Sequence, residues 1–179
     1  MKTSIANAAV ICFVPMIVSC TGDKKSSAPN IILIMADDIG YGDLSCYGAI
    51  KIKTPNVDCL AASGVRFMNA HSAAATSTPS RYALLTGEYA FRRDDTGIAA
   101  GNAPSIIKPE QKTVAAMLKA AGYTTAAVGK WHLGMGVDTN QPWNDYIAPG
   151  PKELALTIPT SWRQPATVCL ACIWKTSAL

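Results

Sequence analysis

The segment at residues 30–35, in which five apolar residues follow Asn30 without a break, restricts the fold of this chain more than any other stretch of its sequence. Because the run shows no polar alternation, it predicts a strand buried on both faces, as in a parallel sheet. Two adjacent carboxylates, Asp37 and Asp38, follow it directly. Open α/β sheets bind ligands at the carboxyl ends of their strands, and a divalent cation relieves repulsion between close like charges. The pair therefore indicates a metal site, with a solvated acidic turn as the alternative.

Strand and helix signals alternate along the rest of the chain. The predicted strands are residues 30–35, 65–71 and 123–128, and the predicted helices are residues 54–63, 79–87 and 113–121. Thr54 and Thr113 are suited to cap two of these helices, and Gly64 and Gly122 to end them. The alternation predicts an α/β layered domain with a mainly parallel sheet. The length of 179 residues is sufficient for one such domain with a real core.

The charge of the chain argues against one class of partner. The formal net charge is only +4, and lysines and arginines form no cluster or stripe. A nucleic-acid partner is therefore not predicted.

The N-terminal stretch predicts export. Lys2 precedes an apolar stretch at residues 8–18, which is too short for a confident membrane span, and Cys20 and a polar segment follow. This arrangement resembles a bacterial lipoprotein box, with a signal peptide at 1–19, lipidation of Cys20 and a flexible tether at 20–29. The expected location is extracytoplasmic, in the periplasm or at the cell surface, through a lipid anchor in the membrane. A plain secretory signal is the alternative.

Cys12 lies within the predicted signal peptide, and the four cysteines other than Cys12 and Cys20 fall into two pairs along the sequence. Cys46 and Cys59 lie in the body of the chain, where a disulfide is possible outside the cytoplasm but is not required. Cys169 and Cys172 have the C-x-x-C spacing of a metal or redox pair.

The S-T-P-S-R stretch at residues 77–81 places a hydroxyl at a predicted helix start. Pro79 suits the first helical turn, and Arg81 lies one turn after Ser77, so it can reach back toward that hydroxyl. Free N–H groups at the helix start add positive potential. The stretch indicates a nucleophile facing an anion site. An ordinary helix capped by Ser77 or Thr78 is the alternative.

A second polar group follows the predicted strand at 123–128. Lys130 can hold an anionic oxygen as a point charge, and His132 can donate to the same group or transfer a proton. A surface lysine beside a packed Trp131 and His132 is the alternative. His71 is interpreted as structural, and Arg92 and Arg93 as part of a solvated loop rather than as contacts for an anionic substrate.

Taken together, three motifs resemble the type I sulfatases. The first is D-D-x-G-x-x-D at 37–43, the second is S-x-P-x-R at 77–81, and the third is G-Y-x-T-x-x-x-G-K-W-H at 122–132. A T-P-N-x-D-x-L-A-x-x-G-x-x-F run from residue 54 is also similar to the family, where its role is structural. The resemblance covers about residues 30–154.

The resemblance implies an alkaline-phosphatase-like fold and the hydrolysis of sulfate esters from a sulfated small molecule or glycan. Ser77 matches the residue that is oxidised to Cα-formylglycine, and a serine at this position implies an anaerobic, radical-type maturation enzyme. By the same resemblance, Arg81 positions the nucleophile, and Lys130 and His132 hold the sulfate.

The resemblance also implies a calcium site. Asp37 and Asp38 match the paired aspartates that bind Ca²⁺ in the family, and the modified Ser77 completes the local set. The family places a second Asp/Asn metal pair, another His and another Lys in the later part of the domain. We therefore expect this chain alone to be poorly folded and inactive.

The resemblance ends near residue 155. Similar bacterial sulfatases continue past G-P-x-E with a segment like G-F-D-Y-S, whereas this chain reads A-L-T-I-P at 155–159. A DNA string that encodes residues 155–179 can be written so that, read one base over, it gives a segment of the family kind. The hypothesis is a frameshift near codon 155, either biological or from sequencing. The Cys169 and Cys172 pair then carries no selected meaning.

Two other functions remain open. One is a phosphatase or phosphodiesterase of the same superfamily, in which unmodified Ser77 attacks phosphorus. The other is a non-catalytic, lipid-anchored fragment.

Overall fold

The computed structural model describes residues 28–142 and 144–157, and the backbone alone of residues 170–176. The predictions for the signal peptide, for lipidation of Cys20 and for Cys169 lie outside the described residues.

Six helices and strands make up the described fold. In chain order they are β1 (Ile31–Met35), α1 (Pro55–Ser63), α2 (Ser77–Thr86), α3 (Val114–Ala120), β2 (Tyr123–Val128) and β3 (Leu170–Thr176). Three single 3₁₀ turns lie at Tyr41–Asp43, Ser45–Tyr47 and Ala90–Arg92. None of the helices among the described residues has the length and hydrophobicity that a membrane crossing requires.

The predicted helices are present, and the largest difference from the predicted bounds is at the start of α2. Thr113 caps α3 by accepting a hydrogen bond from the Ala116 N–H at 3.1 Å, as predicted. Helix α2 begins at Ser77, two residues before the predicted start, with Thr76 as the N-cap in extended conformation. Pro79 still lies in the first turn, where backbone N–H groups have no intrahelical partner, so the earlier start costs no hydrogen bond.

The order of strands in the sheet is β1, β3, β2, and β3 is antiparallel to both neighbours. Strands β1 and β2 therefore run in the same direction, as a mainly parallel sheet requires. The two ladders themselves are antiparallel because β3 lies between these strands. Strand β3 was not predicted, since residues 155–179 were expected to carry no selected meaning.

Strand β1 is not buried on both faces, which corrects the prediction. Ile31, Leu33 and Met35 pack against the core, whereas Ile32 and Ile34 on the other face are 64% and 65% exposed. Alternate side chains of a strand point to opposite faces, and the core covers one of them.

The predicted strand at 65–71 is wrong, because the structure has no strand there. Val65 and Phe67 are exposed, at 80% and 67%. This stretch bonds back to a preceding turn: the Tyr47 hydroxyl donates to the Phe67 carbonyl at 3.0 Å, and the Arg66 guanidinium donates to the Cys46 carbonyl. Cys46 and Cys59 are both free thiols, so the disulfide left open by the sequence is not formed.

The core forms where α2 and α3 meet β2, and it includes residues of the loop between α2 and α3 and of the loop after β2. Its buried apolar residues are Tyr82, Leu85, Ala90, Ile106, Ile107, Ala115, Ala127, Trp131, Leu133, Leu154 and Leu156. Leu156 belongs to the segment that was expected to be out of frame, yet it is 1% exposed. Its neighbour Thr157 forms a parallel bridge with Ala126 of β2.

Candidate active site

Ser77 is the first residue of α2, and its hydroxyl lies between two opposite charges. Its Oγ donates to Asp37 Oδ1 at 3.4 Å and accepts from Lys130 Nζ at 3.1 Å. The predicted nucleophile and the predicted anion-holding lysine are thus in direct contact. A positive charge beside this oxygen favours negative charge on it or on a group bound next to it.

Asp37 is the negative centre of the site. Lys130 Nζ contacts its Oδ2 at 2.6 Å, and Arg81 Nη2 contacts its Oδ1 at 3.1 Å. The hydrogen bond from Lys130 lowers the pKa of the Asp37 carboxyl below its usual value, burial opposes that shift, and Arg81 adds to the lowering. Asp37 is therefore ionised at neutral pH and orients both cations.

Arg81 contacts Asp37 and the backbone of Lys130 rather than the Ser77 hydroxyl itself. Its side chain is fully buried, and its Nη1 donates to the backbone carbonyl of Lys130 at 2.6 Å. Among the described residues its Nε has no partner. The guanidinium therefore ties α2 to the end of β2 and reaches Ser77 through Asp37.

His132 lies beside this cluster in the loop after β2. Its backbone has φ of +56°, in the left-handed region. Its Nε2 is 3.0 Å from the carbonyl oxygen of Ala99, and its Nδ1 is buried with no partner within the described ranges. The Thr78 hydroxyl donates to the His132 carbonyl at 3.0 Å, which links His132 to the first turn of α2.

Asp38 differs from its neighbour in exposure and contacts. It is exposed, with φ of +58°, a conformation that aspartate tolerates better than most residues. Within the part of the chain that the structure describes, it has no hydrogen bond or ion pair, so its carboxylate oxygens are open to a ligand.

The carboxylate oxygens of Asp37 and Asp38, just after β1, are of the chemical type that binds a hard divalent cation. The Lys130 ammonium touches both Asp37 Oδ2 and Ser77 Oγ, so a positive group fits between these two oxygens. No set of three or more His, Cys, Asp or Glu side chains in the described residues is placed to hold a metal ion. Ca²⁺ takes six to eight oxygen ligands. The oxygen ligands therefore suit a cation such as Ca²⁺ in their chemistry. The described residues supply fewer of them than the six to eight that this ion takes.

The other polar residues weighed in the sequence lie outside this cluster. His71 is exposed and pairs with Asn69 Oδ1 at 2.8 Å. Arg93 bonds Asp95, and its guanidinium lies 5.4 Å from the Tyr82 ring centroid. His71, interpreted as structural, thus bonds within its own loop. Arg93, interpreted as part of a solvated loop, instead packs on Tyr82 and pairs with Asp95.

Sequence reasoning missed Thr78 and Ala99, which hydrogen-bond to His132 next to the site. Thr78 was considered only as a helix cap, and Ala99 not at all. Thr78 is fully buried and bonds both Ala99 and His132. No local pattern identifies such a contact, because 54 residues separate Thr78 from His132.

A family model described as Sulfatase matches residues 29–150. This match covers more than half of the chain, and the chain belongs to the sulfatase family. Members of this family generally use a divalent metal.

Individual sulfatases are similar over the same region. The chain is 53% identical to N-acetylgalactosamine-6-O-sulfatase of Bacteroides thetaiotaomicron over 131 residues, which covers 73% of this chain and 26% of that protein. It is 49% identical to human arylsulfatase A over 116 residues, which covers 60% of this chain and 22% of that protein.

Solved structures give the same result for the fold. One, from work on the metabolism of multiple glycosaminoglycans by Bacteroides thetaiotaomicron, is 52% identical with a TM-score of 0.66, covering 68% of this chain and 25% of that chain. Another, Ps i-CgsB in complex with k-i-k-neocarrahexaose, is 33% identical with a TM-score of 0.56 and the same coverage. The fold is that of the alkaline-phosphatase-like sulfatases. The chain spans about a quarter of the length of these relatives.

Proposed function

We propose that this chain carries the nucleophile-bearing part of a sulfatase active site, which cleaves sulfate esters through a formylglycine made from Ser77. The observation that carries the proposal is the position of Ser77 Oγ, which lies 3.1 Å from Lys130 Nζ at the start of α2. The membership of the chain in the sulfatase family supports the same chemistry.

The proposed reaction has two stages. Oxidation of the Ser77 side chain removes two hydrogens, with their electrons passing to the maturation enzyme, and leaves an aldehyde that adds water. One of the resulting hydroxyls attacks sulfur, the ester S–O bond breaks, and the alcohol leaves with a proton. Loss of a proton from the second hydroxyl then expels sulfate and restores the aldehyde. This cycle requires a hydroxyl near cations, which the site provides.

Each nearby residue has a role in this proposal. Lys130 holds sulfate oxygens and stabilises the charge that develops on them. His132 holds the sulfate or moves a proton. Arg81 positions the nucleophile through its bond to Asp37 and its bond to the Lys130 backbone.

The proposed metal is Ca²⁺, held by Asp37, Asp38 and the modified Ser77. Carboxylate and hydroxyl oxygens are the ligands that this ion prefers. When bound, it supplies positive charge that stabilises the negative charge of the sulfate group.

The proposed substrate is a sulfated glycan or a smaller sulfated molecule. N-acetylgalactosamine-6-O-sulfatase and a structure in complex with k-i-k-neocarrahexaose are among the similar proteins, which supports a carbohydrate. An exported lipoprotein, anchored outside the cytoplasm after lipidation of Cys20, is the proposed setting for such a substrate.

We further propose that this chain alone has little activity. The described residues offer few metal ligands, and residues 155–179 follow a proposed frameshift near codon 155. Sequencing the source DNA across codons 150–160 tests the frameshift. A missing or extra base supports it, and an intact frame overturns it.

The mass of a tryptic peptide tests the sulfatase chemistry. The chain is produced together with an anaerobic, radical-type maturation enzyme, and the peptide at residues 67–81 is weighed. Formylglycine makes this peptide two hydrogens lighter than the sequence requires. The matched Ser77→Ala chain lacks the oxidisable hydroxyl, so its peptide keeps the mass that its sequence requires.

An unmodified Ser77 would overturn the formylglycine proposal and favour a second function. The contact from Lys130 to the Ser77 hydroxyl also suits a serine that attacks phosphorus directly, because an ammonium stabilises an alkoxide. Hydrolysis of a phosphate ester that is lost in the Ser77→Ala chain would then identify a phosphatase or phosphodiesterase. If neither oxidation of Ser77 nor hydrolysis of a phosphate ester is observed, the result favours a non-catalytic fragment.

A further inference from the structure

Three hydrogen bonds connect Thr78, Ala99 and His132 in a closed ring next to the candidate active site. The Thr78 hydroxyl donates to the His132 carbonyl at 3.0 Å, and it accepts from the Ala99 N–H at 3.1 Å. The carbonyl of Ala99 in turn contacts His132 Nε2 at 3.0 Å. The ring joins the first turn of α2, the loop at residue 99 and the loop after β2.

This ring determines which nitrogen of His132 carries the proton. A backbone carbonyl can only accept a hydrogen bond, so His132 Nε2 must donate to Ala99. A neutral imidazole has one N–H, and Nδ1 is therefore left with its lone pair. Nδ1 is buried and has no partner among the described residues. In the neutral ring, Nδ1 of His132 thus has a lone pair that no described residue uses.

We propose that Thr78 is a positioning residue that fixes His132 in the Nε2–H tautomer. The single hydroxyl proton of Thr78 is used on the His132 carbonyl, so its lone pairs face the Ala99 N–H. Ala99 is thereby held with its carbonyl toward His132 Nε2. Thr78 is fully buried, so water cannot replace its hydroxyl when that group is removed.

The value of this tautomer for catalysis rests on the proposed function, but the tautomer itself does not. In the proposed cycle a hydroxyl of the modified Ser77 loses a proton, and a lone pair on a histidine nitrogen such as Nδ1 can accept one. The ring nitrogens can be measured in the chain without substrate, metal or formylglycine. Failure of the tautomer experiment is therefore distinguishable from failure of the sulfatase assignment.

The test is ¹⁵N NMR of the histidine rings, recorded where imidazole is neutral, at about pH 8. The chain has only two histidines, and the exposed His71 serves as an internal reference. Thr78→Val keeps the shape and removes the hydroxyl, whereas Thr78→Ser restores it. The matched control is Thr86→Val, in the same helix, whose hydroxyl donates to the Tyr82 carbonyl at 2.7 Å.

The wild-type chain, Thr78→Ser and Thr86→Val are expected to show His132 as a single Nε2–H tautomer. Thr78→Val is expected to lose that signature and to show the tautomer mixture of free imidazole. Should Thr78→Val not fold, Ala99→Pro removes the N–H that Thr78 accepts and is expected to give the same loss. A tautomer mixture in the wild-type chain, or an unchanged single tautomer in folded Thr78→Val, would overturn the proposal.

Discussion

Asp37 is the residue at which the charges of the site meet. Its carboxylate contacts Arg81, which is fully buried, and Lys130, whose side chain is 19% exposed. A buried guanidinium that loses its carboxylate partner is left as an uncompensated charge in a medium that solvates it poorly. Asp37 therefore contributes to folding and to the site at once.

Replacing Asp37 with Asn should lower the free energy of unfolding by about 3 kcal/mol, because the buried Arg81 loses its only charged partner within the described ranges. Urea unfolding measures this change. The matched control is Asp38→Asn, at the exposed neighbour, which should alter stability by less than about 0.5 kcal/mol. Equal effects of the two substitutions would show that Asp37 does not pair with Arg81.

The same carboxylate predicts a pH dependence. Lys130 and Arg81 lower the pKa of Asp37 in the folded chain relative to its unfolded value of about 3.9. The stability it contributes is therefore full above the unfolded pKa and is lost as pH falls through the lower folded pKa. Without added divalent cations, the stability difference between wild type and Asp37→Asn should be constant near neutral pH and shrink in acid. A difference that grows in acid would contradict the lowered pKa.

At this scale, local motifs singled out residues that the structure brings together, but they did not predict how those residues contact one another. Ser77, Lys130 and the aspartate pair follow from local motifs. The bonds from Arg81 to Asp37 and to the Lys130 carbonyl join residues 44 and 49 positions apart, so no local pattern predicts them. The sequence suggested that Arg81 reaches Ser77, whereas the structure shows that it reaches Asp37.

At the scale of elements, the C-terminal end of α2 gives a separate prediction. Gly87 has φ of +71°, and its N–H donates to the Ala83 carbonyl at 2.9 Å. Gly87→Ala should cost about 1 kcal/mol, because only glycine adopts this conformation freely and an added Cβ meets no neighbouring atom.

The matched control is Gly42→Ala, at a glycine without positive φ whose Cβ would also meet nothing. It should leave thermal stability nearly unchanged. Equal destabilisation by both substitutions would show that the left-handed conformation of Gly87 is not the cause.

Helices were easier to predict than strands because their signals are local. The Thr113 cap and the apolar face of α3 lie within one segment, and the structure has that helix. A strand needs a partner from elsewhere in the chain. The stretch at 65–71 has a strand-like composition but bonds to the turn at Ser45–Tyr47, and β3 pairs with two strands that precede it by more than 40 residues.

The position of β3 between β1 and β2 is testable by amide hydrogen exchange. Ending the chain at residue 169 removes β3, whereas ending it at residue 176 keeps it. In the shorter chain, amides of β1 and β2 should exchange at least about tenfold faster, equivalent to about 1.4 kcal/mol of opening free energy. Equal protection in the two chains would show that β3 does not pair with these strands.

At the scale of the whole molecule, the fold brings distant segments to one point. Asp37 follows β1, Ser77 begins α2, and Lys130 follows β2. The contact between Lys130 and Asp37 spans 93 residues of sequence. Strands β1 and β2 run in the same direction, so their carboxyl ends meet at one edge of the sheet, where open α/β sheets bind ligands. The motifs predicted these residues, and the sheet makes them neighbours.

The geometry of the candidate site depends most on the contact of Lys130 with Asp37, which places the ammonium beside Ser77. A double-mutant cycle with Asp37→Asn, Lys130→Met and the double variant measures it in urea unfolding. The predicted coupling is about 1–3 kcal/mol in favour of the native pair, since residues in contact are not additive. In the control cycle, Asp38→Asn and Lys130→Met should have additive effects on the free energy of unfolding. Additivity of Asp37 and Lys130 within about 0.5 kcal/mol would contradict the site described above.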